Sequence, residues 1–409
     1  MNIWIFNHYA TTPNYPGGTR HYDLSKELVK KGHRVTIFAS SFHYLLLSET
    51  KSYNKNRFIV EEIEGIRFIW IKTPAYRKSD LKRVINMLVY SYNSLLSALE
   101  VGKLEKPDVV IGSSVHLFAP LIAYFISKKF KVPFIFEVRD LWPKALIDLG
   151  VSPLHPFIII LSIIERFLYK KAHKIITLLP NSYQYMKNFK VEDKLIWIPN
   201  GIDDSRIKSI MENEARTYSN SIKIAYAGAM GRGNDIQVIF DIAKKIRSSF
   251  DNVKIHIIGG GYNKKDLIEK LSTQDSQVRE MIKIEEAVPK NKIYHKLLEF
   301  DILLYHVADV FKYGISSNKI FDYLAVGKPI IFFADVPNNI VEEAQAGVTV
   351  KNIDQIPKAI EYIISLPENE LKEMSKRARD YVLQNYSITV LADKLEKVIK
   401  EVCDNFAKN

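Results

Sequence analysis

Apolar residues along this chain fall into short runs that alternate with stretches of helical spacing. Residues 2–6, 34–39, 67–72, 108–112, 133–138, 174–179 and 195–199 are runs of strand length, rich in Ile, Val and Phe. Between them, 20–31, 81–101, 119–130, 153–172 and 183–188 carry the helical pattern. That order predicts parallel strands whose crossover helices cover both faces of a sheet. The pattern then restarts. Strands are expected at 222–227, 253–259, 281–285, 302–305, 329–333 and 348–350, with helices at 235–249, 264–272, 290–300, 317–326 and 338–346. Two successive doubly wound α/β domains follow, 1–200 and 201–387. The joint lies near 200–220, where Asn200-Gly201-Ile202-Asp203-Asp204 is turn chemistry and 212–221 is a polar linker. A final long helix, about 388–409, is expected to pack back on the first domain.

Two helices of the first half carry unusual apolar surface. In the first, Leu81, Val84, Ile85, Leu88, Val89, Tyr92, Leu95, Leu96 and Leu99 follow i, i+3, i+4 spacing, with Lys82 and Arg83 off the stripe. The second, 154–168, is apolar early and ends in Arg166, Lys170 and Lys171. Packing on the sheet explains both stripes. Docking on an anionic bilayer explains the flanking basic residues as well. The apolar-then-basic loop 44–57 is a third segment that fits lipid headgroups.

Charge sharpens the picture. The chain has 409 residues and a net charge of +12. Residues 1–200 hold 28 basic and 16 acidic side chains, and 201–409 hold 30 of each, so the excess belongs to the first half. Basic surface attracts phosphorylated ligands, anionic lipid or nucleic acid. No nucleic-acid recognition module is visible, so a nucleic-acid partner is not expected. The lone Cys403 excludes an internal disulfide and a cysteine metal site, which fits a reducing compartment. Residues 1–6 read as a strand with no basic leader, and no apolar run reaches the roughly 18–20 residues of a membrane span. A cytoplasmic protein, peripheral on the inner face of a membrane, is therefore expected.

Five loops at expected strand ends carry candidate chemistry. Pro16-Gly17-Gly18-Thr19-Arg20 places small residues before a helix, where backbone N–H groups approach an anion. It is not the six-residue dinucleotide fingerprint, so it does not argue for NAD. Gly112-Ser113-Ser114-Val115-His116 offers a histidine that can donate to a sugar hydroxyl, although taken alone a satisfied structural histidine is the better reading. Glu137-Val138-Arg139-Asp140-Leu141-Trp142-Pro143 combines an ion pair with an aromatic platform, suited to a sugar or a diphosphate. Ala227-Gly228-Ala229-Met230-Gly231-Arg232-Gly233 presents small residues and a guanidinium fork. In Tyr313-Gly314-Ile315-Ser316-Ser317-Asn318-Lys319, Ser316 or Ser317 reads as a helix N-cap, and Asp322 lies one turn on. These loops converge on one cleft between two sheets, with a phosphate-bearing ligand held mainly by the second domain.

With those residues in view, the chain resembles family 4 of the retaining glycosyltransferases, which adopt the GT-B fold of two facing Rossmann-like domains around an inter-domain cleft. The resemblance runs over nearly the whole length. It rests on Pro16-Gly17-Gly18, Leu28-Val29-Lys30-Lys31-Gly32-His33-Arg34-Val35, Ile198-Pro199-Asn200-Gly201-Ile202-Asp203, the loop ending at Arg232, and Asp322-Tyr323-Leu324-Ala325-Val326-Gly327-Lys328-Pro329. The segment 137–143 resembles a subgroup that builds bacterial surface polysaccharides such as O-antigen or capsule. Some of its members transfer N-acetylfucosamine or N-acetylquinovosamine.

The resemblance implies site roles. His116, Arg232 and Lys319 would be catalytic. Gly17, Gly18, Gly228, Gly231, Pro289, Ser316, Ser317, Asn318 and Asp322 would bind the donor, Asp322 through the ribose. Arg20, Glu137, Arg139, Asp140 and Trp142 would meet the acceptor. Two positions depart from the family pattern. Gly314 stands where the first of two glutamates is usual. The lysine usual shortly after Arg232 is missing from Gly233-Asn234-Asp235, and Lys319 would supply its charge. The expected reaction moves a sugar from a UDP-sugar to a lipid-diphosphate-linked acceptor, with retention and without a metal cofactor. A non-hydrolysing UDP-sugar epimerase and an inactive GT-B binding protein are the competing readings.

Overall fold

The structure is a computed structural model that describes residues 1–78, 80–211 and 221–408; the side chains of 208–211 and of Arg232 fall outside the description. The polar linker expected at 212–221 therefore lies, apart from Ser221, outside the described residues. The first domain is an eight-stranded sheet in the order Leu195–Trp197, Lys174–Thr177, Phe134–Val138, Val109–Ser113, Asn2–Phe6, Arg34–Ser40, Ile66–Ile71, Phe58–Ile63. All neighbours pair parallel except the last, Phe58–Ile63, an antiparallel edge strand that the sequence pattern did not reveal. Its Glu61 and Glu62 break the apolar run. The central strands are buried at every position, which is why they read as continuous apolar runs.

The second domain is a six-stranded parallel sheet in the order Ile282–Glu285, Val253–Ile258, Ile222–Ala227, Ile302–His306, Ile330–Phe333, Gly347–Thr349. In each sheet the strand order reverses beside the domain's first strand. The crevice at such a switch point is where ligands of doubly wound sheets sit. In the first domain it opens at the chain after Phe6 and after Ser113. In the second it opens after Ala227 and after His306.

Among the described residues, five α-helices have no counterpart in the sequence reading: Lys144–Asp148, Asp204–Met211 at the joint, Ser276–Met281, Ile356–Ser365 and Glu368–Tyr386. The last helix, Ile388–Ala407, crosses back to the first domain. Its Ile388, Leu391, Leu395 and Ile399 share a core with Ile3, Leu28 and Ile135. Each such buried side chain contributes about 1.5–3 kcal/mol. Where the chain crosses between domains twice, Ile202 and Ser387 lie side by side as a parallel bridge.

Helix Leu81–Val101 reverses the orientation its stripe suggested. It buries Asn86, Met87, Tyr90, Ser91, Ser94, Ser97 and Ala98. Leu81, Ile85, Leu88 and Tyr92 stay exposed, Leu81 at 72%. The small side chains let this helix approach its neighbour Phe118–Phe130 closely, and Asn86 donates to the Pro74 carbonyl at 2.7 Å. Helix Pro156–Lys171 likewise buries Ile158, Leu161, Glu165 and Leu168 and exposes Ile159, Ile160 and Ile163. Among the described residues, no helix is long and apolar enough to cross a membrane.

Candidate active site between the domains

The switch-point loops of both domains face one cleft of about 320 Å³. Two backbone rungs close one side of it: Lys290 N–H donates to Tyr15 O and Asn291 N–H to Pro13 O, each at 3.0 Å. Asn200 closes the other side, its N–H on Ser316 Oγ at 2.8 Å and its amide on Ser316 O at 2.5 Å. The loop 42–50 folds as a small hairpin whose Tyr44 and Leu45 line the cleft. That takes Tyr44 and Leu45 away from lipid, while Leu46 stays exposed.

From the first domain, Gly17, Gly18, Arg139 and Asp140 line the cleft. Gly17 has φ of +108°, and a Cβ there would lie 2.9 Å from Tyr44 Oη. A Cβ on Gly18 would overlap the Asn318 amide at 2.3 Å, so a side chain there would have to displace Asn318 where the two domains meet. Asp140 is open to the cleft yet enclosed by its walls. That enclosure pushes its carboxyl above the ordinary range, opposed by Arg139.

From the second domain come Gly228, Ser316, Ser317, Asn318, Lys319 and Asp322. Ser317 is the N-cap position of helix Asn318–Val326, but its side chain makes no capping bond. The helix N-terminus and its partial positive charge open on the cleft. Lys319 is nearly buried, at 9% exposure. Its ammonium donates to Tyr226 Oη at 2.8 Å, Asn234 Oδ1 at 2.9 Å and His306 O at 2.9 Å. It stands 4.4 Å from the Tyr226 ring centre and 5.2 Å from that of Tyr305. These partners are neutral. Burial therefore drives the Lys319 ammonium well below the usual lysine range.

Asp322 does not stand open for a hydroxyl. Both its oxygens accept from Lys290 Nζ, at 2.5 and 2.6 Å, and Tyr294 Oη donates to Oδ1 at 2.8 Å. Sequence reasoning missed Lys290 and Tyr294. The signal available was position alone, since Lys290 directly follows Pro289. Pro289 itself shapes the turn, its carbonyl accepting from Lys292 N at 2.9 Å and Ile293 N at 3.1 Å, while Val288 and Lys290 do the lining.

Several expected site residues are not brought to the cleft. His116 is fully buried. Its Nδ1 accepts from Ala119 N–H at 3.3 Å, and its Nε2 faces His8 Nδ1 at 2.8 Å. Burial and the nearby Arg83 lower it to about 3, so it is neutral. Arg20 and Glu137 are buried too, paired at 3.0 Å. Arg20 also donates to Ile198 O at 3.0 Å and to Pro199 O, which fastens the end of strand Phe134–Val138 to the joint between domains. Burial disfavours the Glu137 carboxylate, but Arg20, His21 and Arg139 outweigh it and hold the group well below its usual range. Trp142 packs half-buried on the helical layer. Gly231 borders a separate cavity of about 180 Å³. Arg232 begins a short 3-10 turn, Arg232–Asn234, and its side chain lies outside the described residues.

Gly314 has φ of +86°, and a Cβ there would meet Pro180 Cγ at 2.7 Å and Asn338 Oδ1 at 2.8 Å. No glutamate fits this backbone. Instead, Leu141, Leu149, Leu179, Phe311 and Tyr313 line an apolar side groove of about 60 Å³ beside it.

Comparison with known proteins agrees with this architecture. Residues 17–206 match the model of Glycosyltransferase Family 4, and residues 221–366 match that of Glycosyl transferases group 1. A search of curated proteins found no match. Among solved structures, sucrose-phosphate synthase from Thermosynechococcus elongatus superposes with a TM-score of 0.73 at 12% identity, over 100% of both chains. A glycosyltransferase from Rickettsia africae gives 0.63 at 18%, over 99% of both. Anabaena HepE in complex with UDP and glucose gives 0.64 at 11%, over 98% of this chain and 99% of that one.

Proposed function

Taking as premise that the chain is a glycosyltransferase of the GT-B type, we propose that it moves a sugar from a UDP-sugar to a lipid-diphosphate-linked acceptor, with retention of configuration. The observation that carries this reading is Lys319: a buried ammonium at a helix N-terminus, lining the cleft, held by neutral oxygens alone. Such a charge is completed by an anion, and a diphosphate places one there. UDP is bound by a protein of the same fold, Anabaena HepE.

In the reaction, the bond between the anomeric carbon and the diphosphate oxygen breaks. The acceptor hydroxyl oxygen bonds to that carbon on the same face, and its proton passes to the departing phosphate. Lys319, Arg232 and the first N–H groups of helix Asn318–Val326 would stabilise the leaving charge, each donor contributing about 2.7–4 kcal/mol to the transition state. No metal takes part in this scheme. Closure by the rungs at Lys290 and Asn200 keeps water from the donor.

The apolar groove beside Gly314 favours a donor sugar with few hydroxyls on that side, such as an N-acetylated 6-deoxy-amino sugar used in O-antigen or capsule. The exposed Leu81, Ile85, Leu88, Ile159, Ile160 and Ile163, with Lys82, Lys170 and Lys171 on the same helices and Lys128 and Lys129 on helix Phe118–Phe130, suit an anionic inner-membrane surface. There each basic residue adds about 1 kcal/mol. Acceptor binding would use Arg139 and Asp140.

The direct experiment incubates the protein with a panel of UDP-sugars and a lipid-diphosphate-linked saccharide, and reads products by mass spectrometry. Transfer of one sugar is expected. An isomerised donor, formed without acceptor, would identify an epimerase and overturn the reading. Binding to anionic vesicles that ignores salt would remove the electrostatic part of the membrane proposal.

A further inference from the structure

The hairpin 42–50 forms a two-stranded sheet of its own, with Phe42 opposite Glu49 and His43 opposite Ser48. A lone two-stranded hairpin is marginally stable in water, so side-chain attachments decide where this one sits. His43 supplies them. It is 6% exposed, and its Nε2 lies 3.0 Å from Pro16 O. A carbonyl only accepts, so Nε2 carries the proton. Nδ1 is then bare, and it accepts from Leu45 N–H and Leu46 N–H, each at 3.3 Å. Burial keeps the ring neutral, lowering it to about 4. One imidazole thus joins the turn of the hairpin to the loop before Gly17. Tyr15 and Tyr44 flank it, their ring centres 5.6 and 5.5 Å away.

The loop that His43 grips is also the one that reaches the second domain. Pro13 O and Tyr15 O accept the two backbone rungs from Asn291 and Lys290. The hairpin itself meets the second domain at Gly260, where a Cβ would lie 2.6 Å from Leu45 O. Between these contacts, Tyr44 and Leu45 wall the cleft together with Gly260 and Ala287. The three hydrogen bonds of the His43 ring all lie within the first domain. The hairpin therefore travels with that domain when the two part, and it is seated against the other when they close.

We propose that the hairpin 42–50 is the lid of the cleft and that His43 is the positioning residue that latches it, so that His43 sets how the donor divides between transfer and hydrolysis. This rests on the transferase reading above. In hydrolysis, a water oxygen bonds to the anomeric carbon as the bond from that carbon to the diphosphate oxygen breaks. One water proton passes to the departing phosphate, and the other stays on the new sugar hydroxyl. A poorly seated lid admits this water without removing any group that stabilises the leaving phosphate.

The test incubates wild type, His43→Phe and Gly260→Ala with the UDP-sugar panel and the lipid-diphosphate-linked acceptor. Free sugar and transferred sugar are both quantified by mass spectrometry. His43→Phe keeps an aromatic ring between Tyr15 and Tyr44 and removes all three hydrogen bonds. The ratio of free to transferred sugar should rise about tenfold, the scale of one to two neutral hydrogen bonds. Gly260→Ala lifts the lid from the other domain and should move the ratio the same way, with His43 untouched. Amide exchange over residues 42–50 should quicken in His43→Phe, and protection equal to wild type would show that there is no latch. A merely structural histidine would lower transfer and hydrolysis together and leave the ratio unmoved, which overturns the proposal. If His43→Phe does not fold, an unmoved ratio in Gly260→Ala overturns it as well. Wild type that neither transfers nor hydrolyses any donor of the panel sinks the transferase reading and this inference together. Transfer by wild type, with the ratio unmoved in the folded variants, sinks the inference alone.

Discussion

Arg20 and Lys319 are both buried cations in the first turn of a helix that follows a sheet strand, and they live in opposite surroundings. Arg20 faces the carboxylate of Glu137 and two backbone carbonyls, so its charge is matched inside the protein. Lys319 faces a phenol, an amide and a carbonyl, so its charge is solvated but unmatched. A matched buried charge fastens structure, and removing one partner strands the other. An unmatched one, at the wall of a cleft, is poised for an anionic ligand. The difference separates architecture from chemistry better than residue type does, since both cations follow small-residue loops in the sequence.

The comparison can be broken experimentally, and the largest effect should be Arg20→Met. It leaves Glu137 buried without its main counter-charge and should cost about 3–5 kcal/mol of stability, seen in denaturant unfolding. Lys319→Met should act the other way. Turnover should fall about 10²–10³-fold with the melting temperature nearly unchanged, since a desolvated charge has been removed. A large loss of stability with normal turnover would reverse the assignment.

Smaller effects sharpen the contrast. Gly314→Ala forces a side chain into a left-handed backbone against Pro180 and should cost roughly 1–3 kcal/mol. Crystallography of any folded variant would show Pro180 displaced. The two pH responses share one sense, stability rising with pH, but fall in different windows. Glu137 is held below its usual 4.5, so its contribution is complete above that value and is lost as pH falls through the folded value. Lys319 is held below 10.5, so the unfolded chain binds its proton more readily. Its contribution to stability therefore rises as pH climbs from the folded value toward 10.5. A bound diphosphate favours the ammonium, so nucleotide binding should take up a proton. Calorimetry in two buffers of different ionisation enthalpy measures that, and proton release would contradict it.

Much of the fold was legible in the chain. Parallel sheets with both faces covered demand continuous apolar strands, and Asn2–Phe6, Val109–Ser113 and Ile222–Ala227 are such runs. Edge elements were less legible. Phe58–Ile63 pairs on one side only, so it needs no uniform apolar pattern. The site was legible as loops: Gly17, Gly18, Gly228, Ser316 to Lys319 and Asp322 do meet in one cleft. The partners of those residues were not legible. Neither the Lys290–Asp322 pair nor the burial of His116 against His8 has a signature in local spacing, because the members lie 32 and 108 residues apart.

What the sequence determined by itself was the alternation of strand and helix, the restart near residue 222 and the basic balance of the first half. These follow from periodicity and composition, which are local properties. The tertiary structure decided which charges are matched. It also turned helix Leu81–Val101 so that its small polar face packs inward while Leu81, Ile85, Leu88 and Tyr92 remain outside. Those outcomes depend on which surfaces can approach closely and which groups share a low-dielectric interior, and distant segments settle both only when they meet.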